Sequence, residues 1–301
     1  MSISNAPTRP ALTFWNNGPL LLALCMLSWA GSVIVGRAAA PFVPPSLFTL
    51  LRWGGALLIV FPLARPHLRR DWPALRRRWP VVAGLAFLGV DAYNNLVYRG
   101  LHSTTAVNAL LLQSVMPLFV LVAVFVIFRD RPTLRQVAAI AISIAGVLAI
   151  AAQGSLETLA SLQFNPGDVL VIVAMGCYAL YSALLRLRPI VHPLSLLAAS
   201  FAFGVLLLIP LAGYEYWTGA RLDPTPLAIG SIMYAAVFPA FVSYLFYNRG
   251  VELIGPARAG QYIHLMPVFG VVLAMLFLGE SLHLYHLAGV GLIAAGLWLA
   301  R

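Results

Sequence analysis

The stretches YNNLVYRGL (residues 93–101) and YLFYNRGVEL (residues 244–253) set amides, tyrosines and an Arg-Gly pair inside otherwise apolar sequence. They belong to one repeat. Residues 93–148 and 243–298 align without a gap: Arg99-Gly100 meets Arg249-Gly250, Met116-Pro117 meets Met266-Pro267, Phe119 meets Phe269, Asp130 meets Glu280 and Gly146 meets Gly296. Farther toward the N-terminus, FPLA at 61–64 echoes IPLA at 209–212, and Trp29 meets Tyr178. The chain reads as two copies of a five-helix unit. An odd number of spans turns the second copy upside down, so the halves relate by an axis in the membrane plane, an arrangement typical of secondary transporters. The other reading of the repeat is a duplicated scaffold without functional meaning.

Composition fixes the class. The chain is 61% hydrophobic and 9% charged, with a mean hydropathy of +0.90, far outside the range of soluble domains. Runs such as LLLALCMLSWAGSVIV and LFVLVAVFVIF approach or reach the length that crosses about 30 Å of hydrocarbon. The expected fold is an all-α polytopic membrane protein with ten transmembrane helices as two inverted five-helix repeats. The expected spans are 19–38, 45–65, 79–100, 104–127, 133–151, 167–186, 192–214, 226–248, 256–278 and 284–300. Pro45, Pro80, Pro132, Pro166, Pro193, Pro226 and Pro256 mark helix starts, because proline suits the first helical turn. This divides the chain into an N-terminal segment (1–18), a first repeat (19–151), a linker (152–166) and a second repeat (167–301). RAAAP at 37–41 offers a cleavage-like site, but the preceding apolar run is too long for a signal peptide and Pro41 follows the site directly. The first helix is therefore kept as a span.

All nineteen basic residues are arginine. Without lysine there is no P-loop lysine, Schiff base or lysine nucleophile. With the N-terminus inside, fifteen arginines fall in cytoplasmic segments, against Arg37, Arg99 and Arg221 outside and Arg52 within a span. This asymmetry predicts cytoplasmic N- and C-termini and turns the net charge of +10 into a topology signal, with no nucleic-acid partner implied. Cys25 and Cys177 lie in apolar runs and read as small hydrophobes.

Three stretches carry a family resemblance. LSWAGSVIVGRAAA (27–40) resembles the helix-one signature of the EamA-type branch of the drug/metabolite transporter superfamily. PPSLFTLLRW (44–53) resembles its helix-two pattern, ending at Arg52, and MPVFGVVLAMLFLGESLHLYHLAGVGLIAAGLWLA (266–300) its closing helix pair. Within that branch the chain looks most like YddG-type amino-acid exporters, which implies export of aromatic and other amino acids from the cytoplasm. One departure stands out: the LGES of the second half is FRDR (128–131) in the first, with Arg129-Asp130 in place of Gly-Glu.

Polar groups inside hydrocarbon are costly and mark function or packing. Asp91, Asn94, Asn95 and Tyr98 follow i, i+3, i+4, i+7 spacing on helix three, and Phe241, Tyr244, Leu245 and Asn248 are their counterparts, extended by Tyr234 and Phe238. Helices one and six add Trp29, Ser32, Tyr178 and Tyr181; helices four and nine add Asn108, Gln113, Gln261, Tyr262 and His264. These stripes read either as interhelical hydrogen-bond glue or, taken together, as one wet cavity between the halves. Aromatic faces attract an ammonium and amides serve either end of a zwitterion, which suits an amino acid; nucleotide sugars and drug-like compounds are alternative cargo. Tyr98, Tyr214, Tyr216 and Trp217 read as interfacial belt residues. Pro117 and Pro267 are expected inside helices four and nine as hinges or static kinks. Arg52 and Asp91 reach similar depths from the same face and are expected to pair, with proton coupling as the other role for Asp91. Helices five and ten, rich in alanine and glycine, read as close-packed scaffold.

Neither H-E-x-x-H nor G-x-S-x-G occurs, and no carboxylate pair shares a face, so no enzyme is expected. His283 and His286 are a solvated pair more than a metal site, and neither metal nor cofactor is called for. No nucleotide-binding loop supports ATP drive. The expected function is secondary-type, alternating-access export of amino acids across a bacterial inner membrane, by a chain that works as a monomer with a small-molecule substrate and the lipid bilayer as partners. A passive channel is the remaining alternative.

Overall fold

Helix starts follow local chemistry. Asn17 caps the first helix by accepting from Leu20 N at 3.2 Å, and Pro45, Pro166, Pro193, Pro226 and Pro256 open later ones. Asn165 and Asp168 form a reciprocal capping box. Gly255, at φ 82°, ends one helix and admits the next. The structure is a computed structural model that describes residues 14–152, 155, 157, 165–278 and 284–299. Among these every regular element is helical.

We label the helices α1 (Gly18–Ala39), α2 (Pro45–Arg77), α3 (Trp79–Leu101), α4 (Ala106–Gln113 and Met116–Phe128) and α5 (Leu134–Ala152). The second half holds α6 (Pro166–Leu184), α7 (Pro193–Trp217), α8 (Pro226–Ile254), α9 (Pro256–Gln261 and Leu265–Leu278) and α10 (Leu284–Leu299). Seven described helices are long and apolar enough to cross a membrane, while α5 and α10 are shorter and apolar. Leu58, Leu134 and Leu206 project from the outer surface, as side chains facing lipid do. The chain is a multi-pass membrane protein. Arg9, Glu280, His283, Arg301 and most of the 152–166 linker lie outside the described residues.

Two helices run past their expected ends. α2 continues twelve residues beyond position 65, because Leu68 and Leu75 pack with Leu196 and Asp71 accepts from the His192 amide at 3.0 Å. Tertiary contacts thus override Pro66. α8 continues to Ile254, where glycine and proline stop it.

The halves exchange contacts. α1 packs on α8 and α6 on α3; α2 packs on α7 and α5 on α10. Shifting every residue by the repeat swaps the first two contacts and maps each of the others onto itself. The correspondence extends to single atoms: a Cβ on Gly146 would lie 2.6 Å from the Gly289 carbonyl oxygen, and one on Gly296 would lie 2.6 Å from that of Ala139. The α5 and α10 backbones therefore touch where side chains are absent, as close-packed membrane helices do.

Replacing Gly146 or Gly296 by leucine should force these backbones apart and cost about 1–3 kcal/mol through overpacking. Gly176, where an added Cβ would meet nothing within 4 Å, serves as control. Thermal unfolding in detergent should show a lower midpoint for both α5–α10 variants and little change for Gly176→Ala.

Candidate functional site

Midway between the halves, α1 and α3 meet α6 and α8 around a cluster of rings. Trp29 lies 5.2 Å from Tyr178 and 6.2 Å from Tyr244 between centroids; Tyr181 lies 5.0 Å from Tyr178 and 5.8 Å from Tyr244. The structure adds Tyr93 beside Tyr178 at 4.6 Å, Tyr247 beside Trp29 at 5.3 Å, and Trp53 between Tyr244 at 4.9 Å and Phe201 at 4.7 Å. Edge and tilted contacts dominate, the arrangement ring quadrupoles favour. Sequence reasoning missed Trp53 and Phe201, which occupy matching places in α2 and α7 once FPLA and IPLA are aligned.

Both halves contain a π-helical turn at the same place, Ala86–Ala92 in α3 and Ala236–Val242 in α8. At its centre each holds a carbonyl served by an aromatic donor from the other half. Tyr244 donates its hydroxyl to Gly89 O, and Trp29 Nε1 donates to Pro239 O at 3.2 Å. Asn94 Nδ2 also donates to Gly89 O at 2.8 Å and to Val90 O at 3.0 Å. The rings that look like a binding surface thus also join the halves.

The expected Arg52–Asp91 pair does not form. Arg52 donates to Asn94 Oδ1 at 2.8 Å and to the Tyr98 hydroxyl at 2.5 Å. Asp91 is 3% exposed and neither of its carboxyl oxygens has a hydrogen-bond partner. It faces α7, its Oδ1 3.4 Å from where a Cβ on Gly204 would sit. The cause is the π turn: it takes more residues per turn than an α turn, so the stripe counted at α-helical spacing breaks between Asp91 and Asn94. Tyr98 is likewise no belt residue; it is buried, and its hydroxyl also meets Ser32 Oγ at 2.9 Å. Tyr214, Tyr216 and Trp217 are exposed, while Phe238, expected on the inner stripe, is exposed too.

Pro117 and Pro267 do not kink continuous helices. Each is the third residue or earlier of a new helical segment, after a break at 114–115 in α4 and a 3₁₀ turn, Tyr262–His264, in α9. The two breaks touch: His264 Nε2 lies 2.9 Å from Ser114 O, and the two residues are repeat equivalents. Leu118 N bonds Val115 O, leaving the Ser114 carbonyl for the imidazole. His264 therefore joins α4 to α9 and stands apart from the ring cluster. Gln113 reaches the cluster through the Tyr93 hydroxyl at 3.3 Å. Gln261 is buried with its amide unpartnered. Asn108 is half-buried on α4, and Tyr262 is half-buried in the 3₁₀ turn of α9.

Among the described residues the centre holds only a small space, and a larger one lies toward one end. A cavity of about 20 Å³ lies among Trp29, Ser32, Arg52, Tyr93, Asn94 and Tyr98, room for one water. A second, of about 540 Å³, opens at the end where α6 and α8 finish and α7 begins, bordered by Trp15, Arg186, Arg188, Leu196, Asn248 and Arg249. Its floor reaches the rings, since the Tyr181 hydroxyl donates to Asn248 Oδ1 at 2.6 Å. At the opposite end the equivalent region holds a bonded network. There Arg99 binds Glu215 at 2.8 Å, Ser46 at 2.9 Å and Asn95 at 2.6 Å. Glu215 also caps the start of α2 through Ser46 N at 2.9 Å, and Arg37 holds Leu101 O at 2.5 Å. Among the described residues no three His, Cys, Asp or Glu side chains gather as metal ligands.

Removing the Tyr244 hydroxyl (Tyr244→Phe) takes one of the two side-chain donors from Gly89 O and should cost about 1 kcal/mol. Asn94→Leu strips an acceptor from a buried cation as well and should cost nearer ~3 kcal/mol. Thermal unfolding of both variants checks this order; a reversed order would mean that Arg52 does not depend on Asn94.

The sequence profile of the EamA-like transporter family matches residues 16–152 and again 165–301. Relatives include the uncharacterized transporter YyaM of Bacillus subtilis (strain 168), 28% identical over 86% of this chain and 85% of that one. An uncharacterized transporter of Archaeoglobus fulgidus is 28% identical over 93% and 96% of the two chains, and YetK of B. subtilis is 24% identical over 92% and 84%. A solved crystal structure superposes with a TM-score of 0.73 at 18% identity, over 94% of this chain and 96% of that one, a likeness of fold. With two family matches that span nearly all of a chain of apolar helices, the protein is a membrane transporter and not an enzyme, and it belongs to the EamA-like transporter family.

Proposed function

We propose that this transporter exports amino acids, aromatic ones among them, from the cytoplasm by alternating access between two inverted five-helix repeats, 19–151 and 167–301. The observation that carries the reading is the closed cluster of rings and amides where the halves meet, with a cavity at one end and a bonded network at the other. Repeat-equivalent contacts give each end a counterpart, so opening one while closing the other needs no new architecture. Trp29, Asn94, Tyr178, Tyr181 and Tyr244 supply the ring faces and amide that a neutral zwitterion needs. Ser32 and Gln113 border that surface through Tyr98 and Tyr93, Asn108, Gln261, Tyr262 and His264 lie on the broken helices α4 and α9, and the breaks before Pro117 and Pro267 let those helices bend. The distribution of arginines supports both termini on the cytoplasmic side of the inner membrane, which makes the large cavity the cytoplasmic entrance.

Asp91 is the coupling carboxyl in this reading. Ionisable groups on the elements around it are engaged elsewhere: Arg52 with Asn94 and Tyr98, Tyr181 with Asn248, Tyr244 with Gly89, and Glu215 with Arg99. An unpartnered buried carboxyl is costly, and a proton is the simplest partner it can gain and lose.

Liposomes holding the purified protein should exchange labelled neutral amino acids faster than empty liposomes, and Asp91→Asn should remove the dependence of the rate on pH. Movement of nucleotide sugars without amino acids would refute the cargo; unchanged pH dependence in Asp91→Asn would refute the coupling role. In a background lacking Cys25 and Cys177, cysteine at Asn248 should react with an impermeant thiol reagent added on the cytoplasmic side. Cysteine at Asn95, within the closed network, should be protected in the same state.

A further inference from the structure

We propose that Arg52 is the anchor for the substrate's carboxylate, so that the central site selects molecules with a carboxylate beside an apolar or aromatic group. This rests on reading the chain as an amino-acid carrier. Arg52 is 3% exposed, and the two groups it binds, Asn94 and Tyr98, are both neutral. Its Nε has no partner at all. Among the described residues it forms no ion pair, whereas Arg99, Arg186, Arg188 and Arg249 all do. A buried cation without a counter-charge is costly to keep, and an anionic ligand would supply what the chain does not.

Three further observations place that ligand. Arg52 borders the small central cavity together with Trp29 and Tyr93; the cavity now has room for one water, so the rings must part to admit a ligand, whose anion then lies against their faces. The guanidinium is already oriented, its carbon 5.0 Å from the Trp53 ring and 5.6 Å from the Tyr98 ring. Finally, the repeat equivalent of Arg52 carries no charge. Aligning Pro45 with Pro193 and FPLA with IPLA pairs Arg52 with Ser200, and α7 forms and packs with a serine at that place. Both bonds to Asn94 and Tyr98 leave from Nη1, so an entering carboxylate would meet the other side of the group, the free Nε together with Nη2, a fork that guanidinium matches geometrically.

The test measures binding to the purified transporter in lipid-free detergent of L-phenylalanine, L-phenylalaninamide, 3-phenylpropionate and phenyl phosphate. Both carboxylates should bind at least roughly tenfold more tightly than the amide, the size of one charge-assisted hydrogen-bonded contact. Arg52→Gln should erase that preference and leave the amide's binding unchanged, and Arg52→Lys should keep part of it. If Arg52→Gln does not fold, wild-type discrimination and its reduction in Arg52→Lys decide the matter. Equal binding of phenylalanine and its amide by the wild type would overturn the anchor and leave amino-acid transport standing. Arg52-dependent binding of 3-phenylpropionate without binding of phenylalanine would do the reverse. Tighter Arg52-dependent binding of phenyl phosphate than of either carboxylate would overturn the carboxylate assignment.

Discussion

Inside a membrane, a backbone carbonyl that leaves the regular helical ladder has no water to turn to. The centre of this protein is organised around that constraint. The π turns of α3 and α8 present carbonyls at Gly89 and Pro239, and aromatic side chains of the opposite half reach across to both. The break in α4 leaves Ser114 O, and His264 of the other half meets it. Three of these irregularities, the two π turns and the α4 break, thus gain a partner from the other half. The halves are therefore tied where their helices are least regular, and these are also the places where helices bend most easily.

Repeat-equivalent contacts recur in the backbone, while the side chains differ. Glycines on α5 and α10 make the same contact twice, but Arg52 and Asp91 lie in the first half opposite Ser200 and Phe241. The two halves thus share a scaffold and differ in where it carries charge. Arg99 and Arg249, true equivalents, show how one framework supports two conditions. The first is locked to Glu215, Ser46 and Asn95, while the second borders an open cavity and binds Glu252 at 3.0 Å. Closing the second end as the first is closed would carry the molecule to its mirror condition.

The sequence by itself determined the class, the repeat, the helix starts and the scaffold role of α5 and α10. Those features follow from local causes: apolar run length, proline at the first turn and small residues at close contacts. It also pointed to Trp29, Asn94, Tyr178, Tyr181 and Tyr244, because polar and aromatic groups are conspicuous in apolar helices. What only the tertiary structure decided is where those groups face. A π turn leaves no compositional trace in α3, yet it turns Asp91 toward α7 and away from Arg52. Tyr98 reads as a belt residue by its position near a helix end, yet it is drawn inward by Arg52 and Ser32. His264 reads as a cavity residue, yet it serves a carbonyl released by a break in a helix of the other half. In each case the deciding partner is distant in sequence, and helical periodicity carries no information about which neighbour a face will meet.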